Sequence, residues 1–312
     1  MKKVLGIDIG GTNIRAAIVN SNGKIEERKK IKSNARNGVE KLIENLGSVI
    51  TYFKEFNPDF IGIGVPGIID QKNGILTQAP NISGIKNYPL IKELKENISY
   101  QNIIIENDAN AAALGEFWMG AGSGSSSLLM LTLGTGLGGG IVLNGELWHG
   151  EDGMAGEIGH IIIDPDGPIC NCGNNGCFES FVSAEAVRRI VKNNKNLKEL
   201  TNYSHLDDIP EKIMHFARNG NKESLEIWEE IGKNLGIGIT SLINLLNVDS
   251  VIIGGGLSNA WNLFEKKMID EINKRALHGP RNRLKICRAK LGDDAGIFGC
   301  AYLAFKELKF FN

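Results

Sequence analysis

Val4-Leu5-Gly6-Ile7-Asp8-Ile9-Gly10-Gly11-Thr12-Asn13-Ile14-Arg15-Ala16-Ala17-Ile18-Val19 sets two apolar runs on either side of a polar, glycine-rich turn. The runs Val4–Ile9 and Ile14–Val19 are short and bounded by turn residues, which predicts two strands joined tightly at Gly10-Gly11-Thr12-Asn13. Asn22-Gly23 is a hairpin signal, so a third strand is expected from Lys24. The pattern returns in mid-chain. Leu128–Leu133 reads as a strand, Gly134–Gly140 as a glycine loop and Ile141–Leu143 as a second strand. Asn144-Gly145 follows as the hairpin turn, then Glu146-Leu147-Trp148. In both copies the Asn-Gly pair lies about ten residues beyond the threonine of the first loop. Such a repeat argues for an internal duplication giving two related α/β lobes, each with a glycine hairpin.

The remaining periodicities fill in both lobes. Val39, Leu42, Ile43, Leu46, Val49, Ile50 and Phe53 recur at helical spacing. Phe60–Val65 and Ile103–Glu106 are buried-strand candidates, and an alanine-rich helix is expected from Asn107-Asp108. Further helices are expected at Ala184–Val191, Asp207–Arg218, Glu223–Leu246 and Asn262–Ala276. Strands are expected at Ser250–Ile253, running into Gly254-Gly255-Gly256, and at Leu284–Ala289. A last helix, Ala295–Leu308, would return to the first lobe. A length of 312 residues suits two domains. The expected division is 1–109 with about 298–312 as a small lobe, and 110–297 as a large one. The hinge would lie near Asn107–Ala112.

The chain is 42% hydrophobic and 23% charged, with a net charge of −1. Near-neutrality gives no electrostatic reason to expect nucleic acid or an anionic membrane as partner. The densest basic stretch, Arg28 to Arg36, reads as a solvated strand edge and loop. No apolar run approaches the ~20 residues that span a bilayer. Asp8 interrupts the N-terminal apolar run too early for a signal peptide, so a cytoplasmic location is expected.

Two stretches match G-x-G-x-x-G, at Gly62/Gly64/Gly67 and Gly134/Gly136/Gly139. A dinucleotide fold needs that loop to open a helix, whereas both run on into strand and turn. G-x-x-x-x-G-K-[ST] is absent from the sequence, which removes the Walker fold as well. What remains is a glycine hairpin carrying a threonine, used twice. Successive backbone N–H groups in such turns form an anion-binding concavity, and Asp8 at the strand end suits Mg²⁺ or its water shell. The plainer alternative is two hairpins with glycine for turn geometry. Two copies plus Gly254-Gly255-Gly256 favour phosphate.

Three of five cysteines crowd into Cys170–Cys177. With His160 they spell H-x9-C-x-C-x4-C, three thiolates and an imidazole suited to tetrahedral zinc with no open position. That excludes a zinc hydrolase. A structural zinc contributes on the order of 10–16 kcal/mol of apparent binding energy, so its loss should melt the knuckle. Cys287 and Cys300 read as core residues. A zinc-bound His160 keeps its second nitrogen for another partner. Glu157 and Glu179 flank the knuckle, and carboxylates with an imidazole suit a polyhydroxylated sugar. Asp108, where a helix begins, reads either as its N-cap or as a general base.

Asp8-Ile9-Gly10-Gly11-Thr12-Asn13, Glu106-Asn107-Asp108-Ala109-Asn110-Ala111-Ala112, Gly134–Gly140, Glu157-Ile158-Gly159-His160 and Gly254-Gly255-Gly256 occur in the order of the ROK family of sugar kinases and sugar-responsive repressors. The chain resembles that family over nearly its whole length, its bacterial glucokinases above all. The cysteine run also resembles the family's zinc motif. The resemblance implies a bilobal, actin/hexokinase-like (ribonuclease H-like) α/β fold with a cleft. It implies an enzyme that uses Mg-ATP to phosphorylate a hexose, glucose to glucose 6-phosphate, and that carries a structural zinc.

Residue by residue, it implies ATP contacts from Gly10, Gly11, Thr12, Asn13, Thr135, Gly136, Gly138, Gly255, Gly256 and Leu257, with Asp8 near Mg²⁺. The sugar would be bound by Asn81, Asn107, Asp108, Glu157, His160 and Glu179, with Asp108 as the catalytic base. Zinc would be held by His160, Cys170, Cys172 and Cys177. A homodimer or homotetramer is implied too. One departure is Ile85 after Asn81-Ile82-Ser83-Gly84, where the glucokinases usually carry tryptophan; Pro89-Leu90 still matches. An N-acetylmannosamine or N-acetylglucosamine kinase is the alternative. A sugar-responsive regulator would need a helix-turn-helix domain ahead of a hairpin that here begins by residue 10.

Overall fold

The opening meander forms as its hydrophobic pattern dictates. A computed structural model describes residues 1–79, 82, 85–98, 100–201 and 205–310. Strands β1 (Lys3–Ile9), β2 (Asn13–Asn20) and β3 (Ile25–Lys32) pair antiparallel. Helix α1 (Val39–Phe53) follows, then β4 (Phe60–Val65) parallel to β1. A small hairpin of β5 (Ile68–Asp70) and β6 (Ile75–Gln78) leads to α2 (Leu90–Ile98). Next, β7 (Ile103–Asn107) pairs parallel to β4 and runs directly into α3 (Asp108–Met119). The sheet order is β3-β2-β1-β4-β7.

The second half repeats the scheme. Strands β8 (Leu128–Leu133), β9 (Leu137–Leu143) and β10 (Glu146–Leu147) form the second meander. Then come α4 (Glu179–Val182), α5 (Ala184–Asn193), α6 (Lys195–Leu200), α7 (Ile209–Arg218) and the long α8 (Lys222–Leu246). Strand β11 (Ser250–Gly254), helices α9 (Trp261–Arg275) and α10 (His278–Arg283), strand β12 (Lys285–Arg288) and helix α11 (Ala295–Glu307) complete the chain. The second sheet runs β10-β9-β8-β11-β12, the counterpart of the first. One strand order used twice is the duplication expected from the sequence.

The two Asn-Gly turns differ. Asn144 and Gly145 both take positive φ (52° and 80°) between paired Leu143 and Glu146, a two-residue type I′ loop. In the first copy only Gly23 does (φ 73°), with its N–H donating to the Asn20 carbonyl in a wider turn. The glycine loop also ends sooner than expected. Gly138, Gly139 and Gly140 lie within β9. A Cβ on Gly140 would sit 2.6 Å from that of Ala113, so this glycine lets α3 approach the strand rather than bending the chain.

The chain divides into two compact units, Met1–Leu128 with Gly140–Gly156 and Lys290–Asn312, and Leu129–Gly139 with Glu157–Ala289. In the first, one sheet face (Leu5, Ile7, Ile9, Ile14) packs with the predicted α1 stripe from Val39 to Phe53. Each such side chain contributes about 1.5–3 kcal/mol by leaving water. The other face carries Val4, Ala17 and Val19 against Ile297, Ala301 and Phe305 of α11, which does return to this unit. A Cβ on Gly62 would lie 2.0 Å from the Cys300 carbonyl oxygen, so α11 rests directly on the strands. The basic residues of β3 lie on an edge strand whose positions alternate half-buried and exposed. Among the described residues, no helix is long and apolar enough to cross a membrane.

Candidate active site

In the first unit the turn after β1 is closed by the Gly10 N–H donating to the Asn13 carbonyl at 2.9 Å. Ser33 braces it, its N–H donating to the Thr12 carbonyl and its hydroxyl to that of Gly11. Neither Gly10 nor Gly11 has positive φ, and a Cβ on Gly11 would meet nothing within 4 Å. Positive φ therefore does not demand these glycines. Gly10 is half-buried, a Cβ there lying 3.3 Å from the Asn13 carbonyl oxygen, while Gly11 leaves an exposed, uncluttered backbone, which is what close approach by an anion requires.

Asp8 stands opposite Arg15 in the β1–β2 register. The Arg15 guanidinium lies 3.7 Å from the Asp8 carboxylate and 2.9 Å from that of Asp293. Burial, followed by the charge of Asp108, pushes Asp8 up to about 6; Arg15 opposes this and Asp293 adds to it. Three carboxylates and one guanidinium thus share this end of the sheet.

Asp108 owes its position to its neighbours. Asn107, in extended conformation at the end of β7, is the N-cap of α3, its side chain accepting from the Ala109 and Asn110 N–H groups. The capping role open to Asp108 from sequence belongs to Asn107, because the strand continues through that residue. Asp108 becomes the first helical residue, half-buried. The Asn107 amide also donates to the Gly67 carbonyl at 3.0 Å, tying the helix start to the turn before β5.

Glu106, one residue earlier, is a hub outside the expected set. Its carboxylate, 2% exposed, accepts from the Asn107 N–H (2.8 Å), the Asn110 side chain (3.0 Å), His149 (2.8 Å) and Gln71. The hydrogen bond to Glu106 raises the His149 pKa above its ordinary value, against the effect of burial. A carboxylate ending an apolar strand just before Asn-Asp was the signal in the sequence that could have marked it.

In the second unit the Thr135 turn has the same openness. A Cβ on Gly134 meets nothing within 4 Å, and Thr135 is exposed. Gly136 is different: a Cβ there would lie 2.1 Å from Glu179 Oε2, which accepts from the Leu137 N–H at 2.9 Å. Gly159 similarly admits the Leu137 carbonyl, 2.3 Å from where its Cβ would be. Glu157-Ile158-Gly159-His160 and Glu179 are thereby gathered around the start of β9.

His160, Cys170, Cys172 and Cys177 present donor atoms all within 4.8 Å of one another, a set that could hold a metal ion. His160 Nδ1 is 3.7 Å from Cys170 Sγ, and the Cys172 and Cys177 sulfurs are 3.6 Å apart. Tetrahedral ligands at about 2.3 Å from a common ion stand roughly 3.8 Å apart, so the donors fit one. The Asn174 backbone lowers the Cys172 thiol to about 7, while burial holds Cys177 up at about 12. A bound cation would draw both toward thiolate. The other oxygen of Glu179 lies 3.6 Å from Cys170 Sγ, linking the cysteine cluster to the Thr135 turn.

Of the remaining expected residues, Gly255 takes φ 82° after β11, where a Cβ would strike the Leu133 carbonyl at 2.3 Å. Gly256 opens onto free space and Leu257 is buried. Asn81 lies outside the described residues.

Residues 4–307 match the ROK family. A glucokinase of Thermotoga maritima is 35% identical over 305 residues, covering 96% of each chain. An N-acetylmannosamine kinase of Haemophilus influenzae is 32% identical over 305 residues, 96% of this chain and 94% of its own. The crystal structure of a ROK family glucokinase from Streptomyces griseus, in complex with glucose and AMPPNP, is similar with a TM-score of 0.81 at 32% identity. That match covers 97% of this chain and 99% of the other. The fold is the actin/hexokinase-like α/β fold that the sequence pointed to.

Proposed function

Because this chain belongs to the ROK family, we propose that it is an ATP-dependent hexose kinase that converts glucose to glucose 6-phosphate. What carries the reading is near-complete, two-way coverage with glucokinases at 35% and 32% identity, one of them crystallised with glucose and a nucleotide analogue.

Phosphoryl transfer through a loose transition state asks the protein mainly to position groups and balance charge. Asp108 orients the acceptor hydroxyl and takes its proton; the Asn107 cap and the Glu106 hub support that assignment by fixing the helix start. The amides of Gly11, Thr12 and Asn13, in a turn that Gly10 closes through its own N–H, and the turn of Thr135, Gly136 and Gly138 receive the phosphates of Mg-ATP, with Asp8 toward the cation. Gly255, Gly256 and Leu257 serve the adenosine end. Asn81, Asn107, Glu157, His160 and Glu179 bind the sugar hydroxyls. His160, Cys170, Cys172 and Cys177 hold a structural zinc, for which thiolate and imidazole ligands at these separations are suited. A cytoplasmic location and a homodimeric or homotetrameric state belong to the same reading.

The relative from Haemophilus influenzae favours a second acceptor, N-acetylmannosamine. A coupled ADP-release assay with Mg-ATP across glucose, mannose, fructose, N-acetylmannosamine and N-acetylglucosamine decides. Glucose should give the highest kcat/KM. A higher value for an amino sugar would reassign the acceptor, and no turnover on any of them would remove the kinase reading.

A further inference from the structure

Arg15 is a cation placed beside the phosphate turn, with hydrogen-bonding capacity to spare. It stands opposite Asp8 in the hairpin register, and its Nη1 lies 3.6 Å from where a Cβ on Gly10 would be. Its Nη2 donates to Asp293, an exposed carboxylate, at 2.9 Å. The 3.7 Å approach to Asp8 is an ion pair too long for a hydrogen bond. The buried Nε has no partner among the described residues. A guanidinium offers five N–H donors in a rigid fork that matches phosphate geometry.

Charge explains why such a group would be needed here. Asp8 and Asp108 feel one another strongly enough that Asp108 is the second largest influence on Asp8, after burial. A terminal phosphoryl group brought to Asp108 adds negative charge to two carboxylates. Resting on the phosphate reading of the Gly10–Asn13 turn, we infer that Arg15 is a catalytic residue that leaves Asp293 to bind the γ-phosphoryl group of the nucleotide. There it offsets Asp8 and Asp108 and stabilises the charge spread over the transferring oxygens. The β-phosphate, held by the turn amides, does not require it.

The inference is specific to the γ-phosphate, so nucleotide affinities test it apart from turnover. Dissociation constants for Mg-AMPPNP and Mg-ADP would be measured by calorimetry on wild type, Arg15→Gln and Asp293→Asn. Arg15→Gln should weaken Mg-AMPPNP about tenfold relative to Mg-ADP, as expected for loss of a charge-assisted contact. An AMPPNP/ADP ratio within about twofold of wild type would overturn the assignment. Should Arg15→Gln fail to fold by circular dichroism, Asp293→Asn decides. Freeing the guanidinium from its present partner should tighten Mg-AMPPNP relative to Mg-ADP, and an unchanged or weaker ratio would overturn it. Failure of the wild type to bind either nucleotide would instead remove the kinase reading itself.

Discussion

Replacing Asp8 by asparagine should make the nucleotide-free protein more stable while abolishing its activity. Burial and Asp108 lift the Asp8 carboxyl from 3.8 to about 6, so the folded state holds this proton more tightly than the unfolded chain does. Below about pH 4 the group is protonated in both states and costs little. As pH rises through 4 to 6 the unfolded chain ionises first, and stability is lost. Above about pH 6 the full penalty applies, about 3 kcal/mol at 1.36 kcal/mol per pH unit. The side chain is only 16% exposed, so solvent screening takes little from that figure. Asparagine keeps the shape and removes the charge, and Arg15 retains Asp293. Differential scanning fluorimetry without nucleotide should therefore show Asp8→Asn melting roughly 6–12 °C above wild type at pH 8, taking 2–4 °C per kcal/mol for a unit of this size. At pH 4 the gain should shrink to about 0.5 kcal/mol. Equal gains at both pH values, or a lower melting temperature at pH 8, would refute the reasoning.

Glu106→Gln should lower the His149 pKa toward its ordinary value, followed by NMR titration of the ring, and destabilise the fold by about 2–3 kcal/mol through loss of a buried charged hydrogen-bond hub. The His149 share of that loss should be full below pH 6.5 and fade as pH rises through the raised folded-state value, because the folded state then loses the extra proton. Gly136→Ala puts a Cβ 2.1 Å from Glu179 Oε2, so the carboxylate must move. Sugar KM should rise on the order of tenfold with a smaller change in kcat, and an unaltered KM would argue against Glu179 as a sugar ligand. Elemental analysis should find about one zinc per chain. Cys172→Ser or a strong chelator should lower both occupancy and melting temperature.

Much of the fold was legible because the apolar periodicities are strong. The α1 stripe expected from the sequence is the set of residues buried in that helix, and β4 and β8 occupy their expected bounds. Glycine was harder to read. Gly138–Gly140 resembled loop, yet all three lie in β9 and at Gly140 the missing Cβ admits a helix, and nothing in one sequence separates the two uses. The cap was ambiguous by one residue, since Asn107 and Asp108 are both good capping types and only the extent of β7 decides. Glu106 and Arg15 sat inside strand patterns, where alternation says which face a residue takes and not what it meets there. Arg15 was recoverable in principle: with the turn at Gly10–Asn13, counting along the hairpin sets it opposite Asp8.

The central claim is that Asp108 accepts the proton of a hexose hydroxyl as phosphoryl transfer from Mg-ATP proceeds. Phosphorus NMR of enzyme, Mg-ATP and glucose, run with wild type and with Asp108→Asn, tests it most directly. Wild type should form glucose 6-phosphate in step with ADP, and the variant should slow this by about 10²–10⁴-fold with glucose still bound. Persistent ATP, free phosphate in place of sugar phosphate, or a variant as fast as wild type would contradict the account.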